Sequence, residues 1–389
     1  MATSSSFREC LESGILPDWS DILGPSSTSC RVASLSAGVR KIAAEKLSRE
    51  GYVQLPSGIA PATRERLARS VARLLKLGWP PTFVMVLDEV WELYEGFGTW
   101  LPRLCLTGDF LAWYVEPGTK RRFGCRAGFS PHRDRVDPAA FFPDGGPKYA
   151  TVWLAVTPAT PENSCLYAIP AHADPGYRKG DGDQDPLRRA LPTKESFQVV
   201  RCLAARPGDC NVFSHRLLHW GSEGSELPTM RRLGVGKGGT LEFLRRNKRA
   251  PPRIALSFVF SDPSFERPYV AGKPDVETRV ALAAAQMLCY QDRWQLSKAE
   301  AVFFWRLASR RPEVFDPGYF RDKVRAEFVA SALRSEGVAG SSNDDDDDDD
   351  DDAEEAALEA MLDGEAESSS SSYYWDDYDD AIRHHRLLL

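Results

Sequence analysis

Histidine is scarce in this chain, with six in 389 residues. His384 and His385 lie among the last residues, so histidine chemistry in the body must draw on His132, His172, His215 and His219. No apolar run approaches the ~18–20 residues that a membrane-spanning helix needs. The stretch from Met1 to Glu12 lacks the apolar core of a secretory signal. The eight cysteines contain no C-x-x-C, which argues against zinc fingers and thioredoxin-like motifs. Reduced cysteines are expected, and with them a cytoplasmic location. The chain ends Leu-Leu-Leu, so no Ser-Lys-Leu peroxisomal address is read.

What is present is an ordinary globular composition, 42% hydrophobic and 27% charged, which suffices for a large core. The net charge of −7 conceals a division. From Asp344 onward there are 19 acidic and 2 basic side chains, so the preceding residues carry a net +10. A basic body favours anionic ligands. Nine consecutive aspartates open the acidic stretch, and such a run repels itself and buries no core.

Residues 1–34 show no clear period and are read as an irregular arm. Helical patterning follows in VRKIAAEKLSREG, ATRERLARSVARLLKLG and FVMVLDEVWELYEGF, the first two closed by Gly51 and Gly78. After Pro102 the character changes to short β-branched and aromatic runs separated by Gly, Pro and Asp. These are GDFLAWYVEPG, YATVWLAV, CLYAIPA, FQVVRCLAA, CNVF and RIALSFVF. Such a series predicts an all-β sandwich or barrel core. Helices are expected again at VETRVALAAAQMLCYQDRW, KAEAVFFWRLASR and FRDKVRAEFVASALRS. Residues 174–192 read as a polar surface loop and 226–250 as a basic insert. The domain reading is an arm over 1–34, a catalytic domain over 35–338 and a disordered acidic tail over 339–389.

Three features carry chemistry. In His132-Arg133-Asp134, residues i and i+2 of a strand share a face, so an imidazole and a carboxylate could meet one metal. The alternative is a surface ion pair beside Arg133 and Arg135. In His215-Arg-Leu-Leu-His219, Arg216 stands where a zinc protease needs glutamate. A strand is read there instead, following the Pro207-Gly208-Asp209 turn. Two histidines and one carboxylate leave positions open for substrate and O2 on non-haem Fe(II); the alternative for either histidine is a satisfied buried imidazole. Arg253 opens an apolar strand, where burial is costly without an anion such as a carboxylate ligand. Its alternative is a strand-edge side chain reaching water.

In this order the pieces resemble the phytanoyl-CoA dioxygenase family of Fe(II)- and 2-oxoglutarate-dependent oxygenases, from about Arg40 to about Tyr269. EKLSREGYVQLPSGI, GFSPHRDR, YATVWLAVTPATPENSCLYAIPAHAD, RPGDCNVFSHRLLHWGSEGS and RIALSFVF each resemble a family segment. The resemblance implies a mainly β fold with flanking helices, a double-stranded β-helix (jelly-roll, cupin-like) barrel. It implies Fe(II) held by His132, Asp134 and His219, and 2-oxoglutarate held by Arg253; Trp153 stands where the family lines that pocket, with a plain core tryptophan as the alternative, and Ser222 is the co-substrate candidate, one residue beyond the family position. It also implies O2-dependent decarboxylation of 2-oxoglutarate to succinate and CO2, coupled to substrate oxidation. Related halogenases lack the carboxylate, so Asp134 implies hydroxylation or another oxidation.

Two departures stand out. Trp220 separates His219 from Gly221-Ser222, where the family has His-Gly-Ser. Arg253 also follows His219 by 34 residues, a much longer interval than the family's. Arg231 fits that interval better, but LGVGKGG after it is a poor strand. His172 is expected in a structural or supporting role, His215 on the pocket side, and Asn163 as a turn residue. The expected substrate is a small, acyl or lipid-like molecule, anionic if the insert overhangs the mouth; the insert is otherwise a solvated loop. Nucleic acid is disfavoured, because the polyaspartate would compete with a phosphate backbone. A protein hydroxylase docking through the tail, or a silent binding barrel, are the alternatives.

Overall fold

A computed structural model describes residues 6–24, 30–118, 122–125, 128–137, 139–222, 224, 251–265, 273–311 and 314. The basic insert with Arg231, the acidic tail and the expected helix at FRDKVRAEFVASALRS lie outside the described residues.

The polypeptide enters through helices α1 (Phe7–Ser13), α2 (Trp19–Leu23) and α3 (Ala37–Glu50), strand β1 (Tyr52–Pro56) and helix α4 (Pro61–Lys76). A 3-10 turn over Pro81–Val86 leads into α5 (Asp88–Gly98). The strands are β2 (Cys105–Val115), β3 (Tyr149–Ala155), β4 (Leu166–Ile169), β5 (Arg201–Leu203), β6 (Asp209–Ser214), β7 (Leu218–Gly221) and β8 (Arg253–Ser261). Short helices α6 (Gly176–Lys179) and α7 (Pro186–Ala190) lie between β4 and β5. Helices α8 (Val276–Cys289), α9 (Gln291–Trp294) and α10 (Lys298–Ser309) follow. None of the described helices is long and apolar enough to cross a membrane.

The strands form a five-stranded sheet, β1-β6-β3-β8-β2, and a three-stranded sheet, β5-β4-β7, all pairs antiparallel. This is a double-stranded β-helix with flanking helices. Every residue of β3 and β8 is buried, because helices cover the face turned away from the smaller sheet. Tyr94 of α5 fastens that cover, its hydroxyl donating to Val259 O at 2.5 Å and accepting from Val259 N at 3.2 Å. On the other face, Phe213 of β6 meets His219 of β7 with ring centroids 4.7 Å apart. The site therefore lies between the sheets.

Several elements depart from expectation. The arm contains α1 and α2, too short to show a period. Ser6 and Glu9 form a capping box, and Phe7 and Trp19 pack on Trp79. FVMV is a 3-10 turn rather than the start of α5, because Pro80 and Pro81 fix the backbone ahead of it. FQVV is largely 3-10, so β5 keeps three residues. The expected helix at VETRVALAAAQMLCYQDRW breaks at Tyr290. Residues 174–192 are not a simple surface loop. Asp174, Tyr177, Ala190 and Leu191 are buried, and the last two pack on Ile169 and Leu218.

Candidate metal centre

His215-Arg-Leu-Leu-His219 is not one strand. β6 ends at Ser214, the chain turns at His215–Leu217, where Leu217 N donates to Ser214 O, and β7 begins in the other sheet. The i, i+4 spacing thus reports a crossover between sheets. His132 pairs with His219 as an extra edge on β7: each backbone N–H donates to the other's carbonyl, at 3.0 and 3.1 Å. Further along, Gly221 N donates to Phe129 O and Gly128 N to Ser222 O, both at 3.0 Å. Only glycine permits this approach, since a Cβ on Gly128 would lie 2.3 Å from Gly221 Cα.

The pairing brings His132, Asp134 and His219 together, each offering a donor atom within 4.8 Å of the others. His132 Nε2 is 3.3 Å and His219 Nε2 3.8 Å from Asp134 Oδ1. Donors on a shared metal, each at ~2.0–2.2 Å, would stand about 3 Å apart. Both imidazoles are oriented by carbonyls two residues back, with His132 Nδ1 2.7 Å from Ser130 O and His219 Nδ1 3.0 Å from Leu217 O. Donation from Nδ1 leaves each Nε2 lone pair facing Asp134. The donor set suits a divalent metal that takes two imidazoles and a carboxylate.

Burial pushes His219 down to about 4, which keeps it neutral. For His132 burial acts downward, but the neighbouring Asp134 carboxylate, which would accept a hydrogen bond from the protonated ring, outweighs it and raises the pKa. Burial alone would raise Asp134; His215, His219 and His132 together hold it well below the usual carboxylate range. His215 is buried against Thr151, Nε2 to Oγ1 2.6 Å, with Nε2 3.6 Å from Asp134 Oδ2. It borders the same site.

Arg253 opens β8 and is 3% exposed. Its Nη1 donates to Ser164 O, and its guanidinium carbon lies 5.4 Å from the centre of the Trp153 ring. Its Nε has no hydrogen-bond partner and no ion pair involves it among the described residues. Burial pulls its pKa down to about 10. A dry cation without an acid is what a carboxylate ligand would complete. Asn163 shapes this corner as a turn residue. Its Oδ1 accepts from Thr160 N at 2.7 Å, and its Nδ2 donates to Pro158 O and Pro251 O. Ser164 follows at φ +70°, which aims its carbonyl at Arg253. Ser222 reaches Pro161 O at 3.4 Å. His172 lies apart, 54% exposed, with Nδ1 3.0 Å from Glu50 Oε2.

Arg133, which in sequence stands only as a neighbour of a possible surface ion pair, is buried. Alternation turns it away from His132 and Asp134, and its side chain is 1% exposed. All five of its N–H donors are used. Nε and Nη2 reach Asp181 at 2.6 and 2.9 Å, Nη1 and Nη2 reach Asp174 at 2.6 and 2.9 Å, and Nη1 reaches Arg216 O at 2.7 Å. Arg216 beside it donates to the carbonyls of Gly176, Tyr177 and Val136. The two arginines bind the 174–181 segment to the back of the site. A signal existed: an arginine between two residues of an inward face must find its own partners.

Residues 109–226 match the model of the phytanoyl-CoA dioxygenase family. The matched segment is therefore of the Fe(II)- and 2-oxoglutarate-dependent oxygenase type. It holds His132, Asp134 and His219 and ends before Arg253. Among curated protein sequences none matches the chain significantly. Solved structures with a similar fold include the epimerase SnoN in complex with Fe3+, alpha ketoglutarate and nogalamycin RO, at 16% identity and TM-score 0.39, over 58% of this chain and 85% of that one. AviO1 from Streptomyces viridochromogenes Tue57 is 17% identical with TM-score 0.38, over 62% and 100%. EctD from S. alaskensis with 2-oxoglutarate and 5-hydroxyectoine is 15% identical with TM-score 0.35, over 62% and 84%.

Proposed function

We propose that the protein is an Fe(II)- and 2-oxoglutarate-dependent dioxygenase that hydroxylates a small-molecule or acyl, lipid-like substrate. The carrying observation is the convergence of His132, Asp134 and His219 within 4.8 Å, beside a buried Arg253 with no acid of its own. The domain is taken as residues 35–338, with the insert 226–250 and the C-terminal helices as parts of it.

His132 and His219 would bind Fe(II) through Nε2 and Asp134 through a carboxylate oxygen. When bound, the metal with 2-oxoglutarate and O2 supplies the oxidising chemistry, releasing succinate and CO2. The protein's share is geometry. The Nδ1 hydrogen bonds hold the two imidazoles in place and the β7 pairing holds the two ligand segments together. Arg253 receives the distal carboxylate of 2-oxoglutarate, with Trp153 flanking the guanidinium. Phe129 and Phe213 pack on the ligand histidines and keep water from that side. His132 and Asp134 keep side chains 24% and 26% exposed, which leaves one side open for substrate.

Anaerobic titration with Fe(II) and then 2-oxoglutarate tests this reading. A visible metal-to-ligand band is expected in the native protein and not in His219→Ala. Absence of the band from the native protein, or its survival in that variant, would overturn the assignment.

A further inference from the structure

Arg293 has no task in the site as described. It comes from α9, outside the segment that matches the family. Its guanidinium carbon lies 4.1 Å from the centre of the Phe129 ring, and Nη2 reaches Cys125 Sγ at 3.5 Å. The Phe129 ring is in turn 5.4 Å from the His132 imidazole. Trp113 packs edge-on to Phe129 at 4.6 Å and stacks with Trp294, the residue after Arg293. An aromatic wall thus sets this arginine on the His132 flank of the candidate metal centre.

Among the arginines of the helices around it, Arg122 pairs with Glu300, Arg279 with Asp88 and Arg311 with Asp275. No carboxylate pairs with Arg293 among the described residues, and its positive charge acts on both His132 and Arg253. Through Phe129, which it covers, Arg293 stands one ring away from His132, and its own charge has no carboxylate partner there. Like charges in partly dry surroundings repel unless an anion lies among them. The two arginines differ in access. Arg253 is fully buried and meets only a ligand already inside, whereas half-buried Arg293 meets one arriving from solvent.

We propose that Arg293 binds an anionic group, a carboxylate or a phosphate, on the substrate that is oxidised, and holds it on the His132 side with Phe129 beneath. The inference rests on the metal and 2-oxoglutarate reading above and deepens it: the substrate class is anionic.

Inorganic phosphate is the probe. Binding to the metal-free full chain is followed by calorimetry in the native protein, Arg293→Gln, Arg293→Met and Arg253→Gln, each checked for an unchanged thermal transition. Phosphate affinity is expected to fall at least about tenfold in both Arg293 variants and to persist in Arg253→Gln. In a separate anaerobic titration, 2-oxoglutarate affinity should change less than about threefold in Arg293→Gln and collapse in Arg253→Gln. Phosphate binding that is absent from the native protein, or unaltered in the Arg293 variants, reflects an adventitious ion only and overturns the proposal. So does a loss of 2-oxoglutarate in Arg293→Gln as large as in Arg253→Gln, which would give Arg293 to the co-substrate. A missing 2-oxoglutarate band in the native protein would sink the iron reading alone, because the phosphate arm needs no metal.

Discussion

Replacing Arg133 with methionine removes a guanidinium whose five N–H donors are all engaged in a dry site. Methionine fills much of the volume, so the loss is electrostatic. Asp174 and Asp181 would remain, 1% and 8% exposed, each without its bidentate partner and repelling the other. Breaking a buried pair this way costs ~3–5 kcal/mol. Against a typical stability of ~5–15 kcal/mol, that is a large fraction. A urea midpoint lower by roughly 1–2 M is expected for a chain of this size. Adding Asp174→Asn and Asp181→Asn removes the stranded charges and should restore at least about half of the loss. The assay is urea denaturation of the three proteins, followed by tryptophan fluorescence. A loss below about 1 kcal/mol for the single variant would falsify the account, as would a triple variant no more stable than the single one.

Other outcomes follow from the same geometry. Gly128→Ala drives a methyl into Gly221 and should separate the 128–135 segment from β7; weaker Fe(II) binding by a folded protein is the readout. Gly176→Ala places a Cβ 1.8 Å from Asp181 Oδ1 and should destabilise by more than about 2 kcal/mol, measured by thermal unfolding. Arg253→Gln should weaken 2-oxoglutarate by roughly 30–150-fold, or about 2–3 kcal/mol for a lost charge-assisted pair, read from the anaerobic titration. Asp275 caps α8 by accepting from Thr278 N at 2.8 Å, and that bond, with Arg311, lowers its pKa to about 2. A depressed carboxylate stabilises the fold above its ordinary pKa of 3.8 and loses that contribution as pH falls towards 2. Asp275→Ala should therefore cost about 1 kcal/mol at neutral pH and nearly nothing near pH 2, as followed by pH-dependent unfolding.

Much of the scaffold was legible because its signals are local. β3 and β8 read as continuous apolar runs because helices bury their second face, and that leaves a mark in every residue. α4 and α3 carried their own glycine stops. The failures were equally physical. α1 and α2 are too short for a period and are held by aromatic contacts with residues far along the chain. The 174–192 stretch looked polar because its aspartates face inward to Arg133, not outward to water. His215 to His219 matched a strand residue by residue, yet the backbone turns within it to change sheets.

The amino-acid order by itself determined the inventory: few histidines, a carboxylate two residues from one of them, and an arginine heading an apolar strand. It also fixed parity, since alternation along an extended chain sets His132 and Asp134 on one side and Arg133 on the other. Tertiary structure alone decided convergence. His132 and His219 are 87 residues apart in sequence, and only the edge pairing on β7, permitted by two glycines in backbone contact, brings their rings to 4.5 Å. It likewise decided which arginines lack acids. A guanidinium becomes a ligand for an anion through what is missing around it, and that absence depends on every element packed nearby.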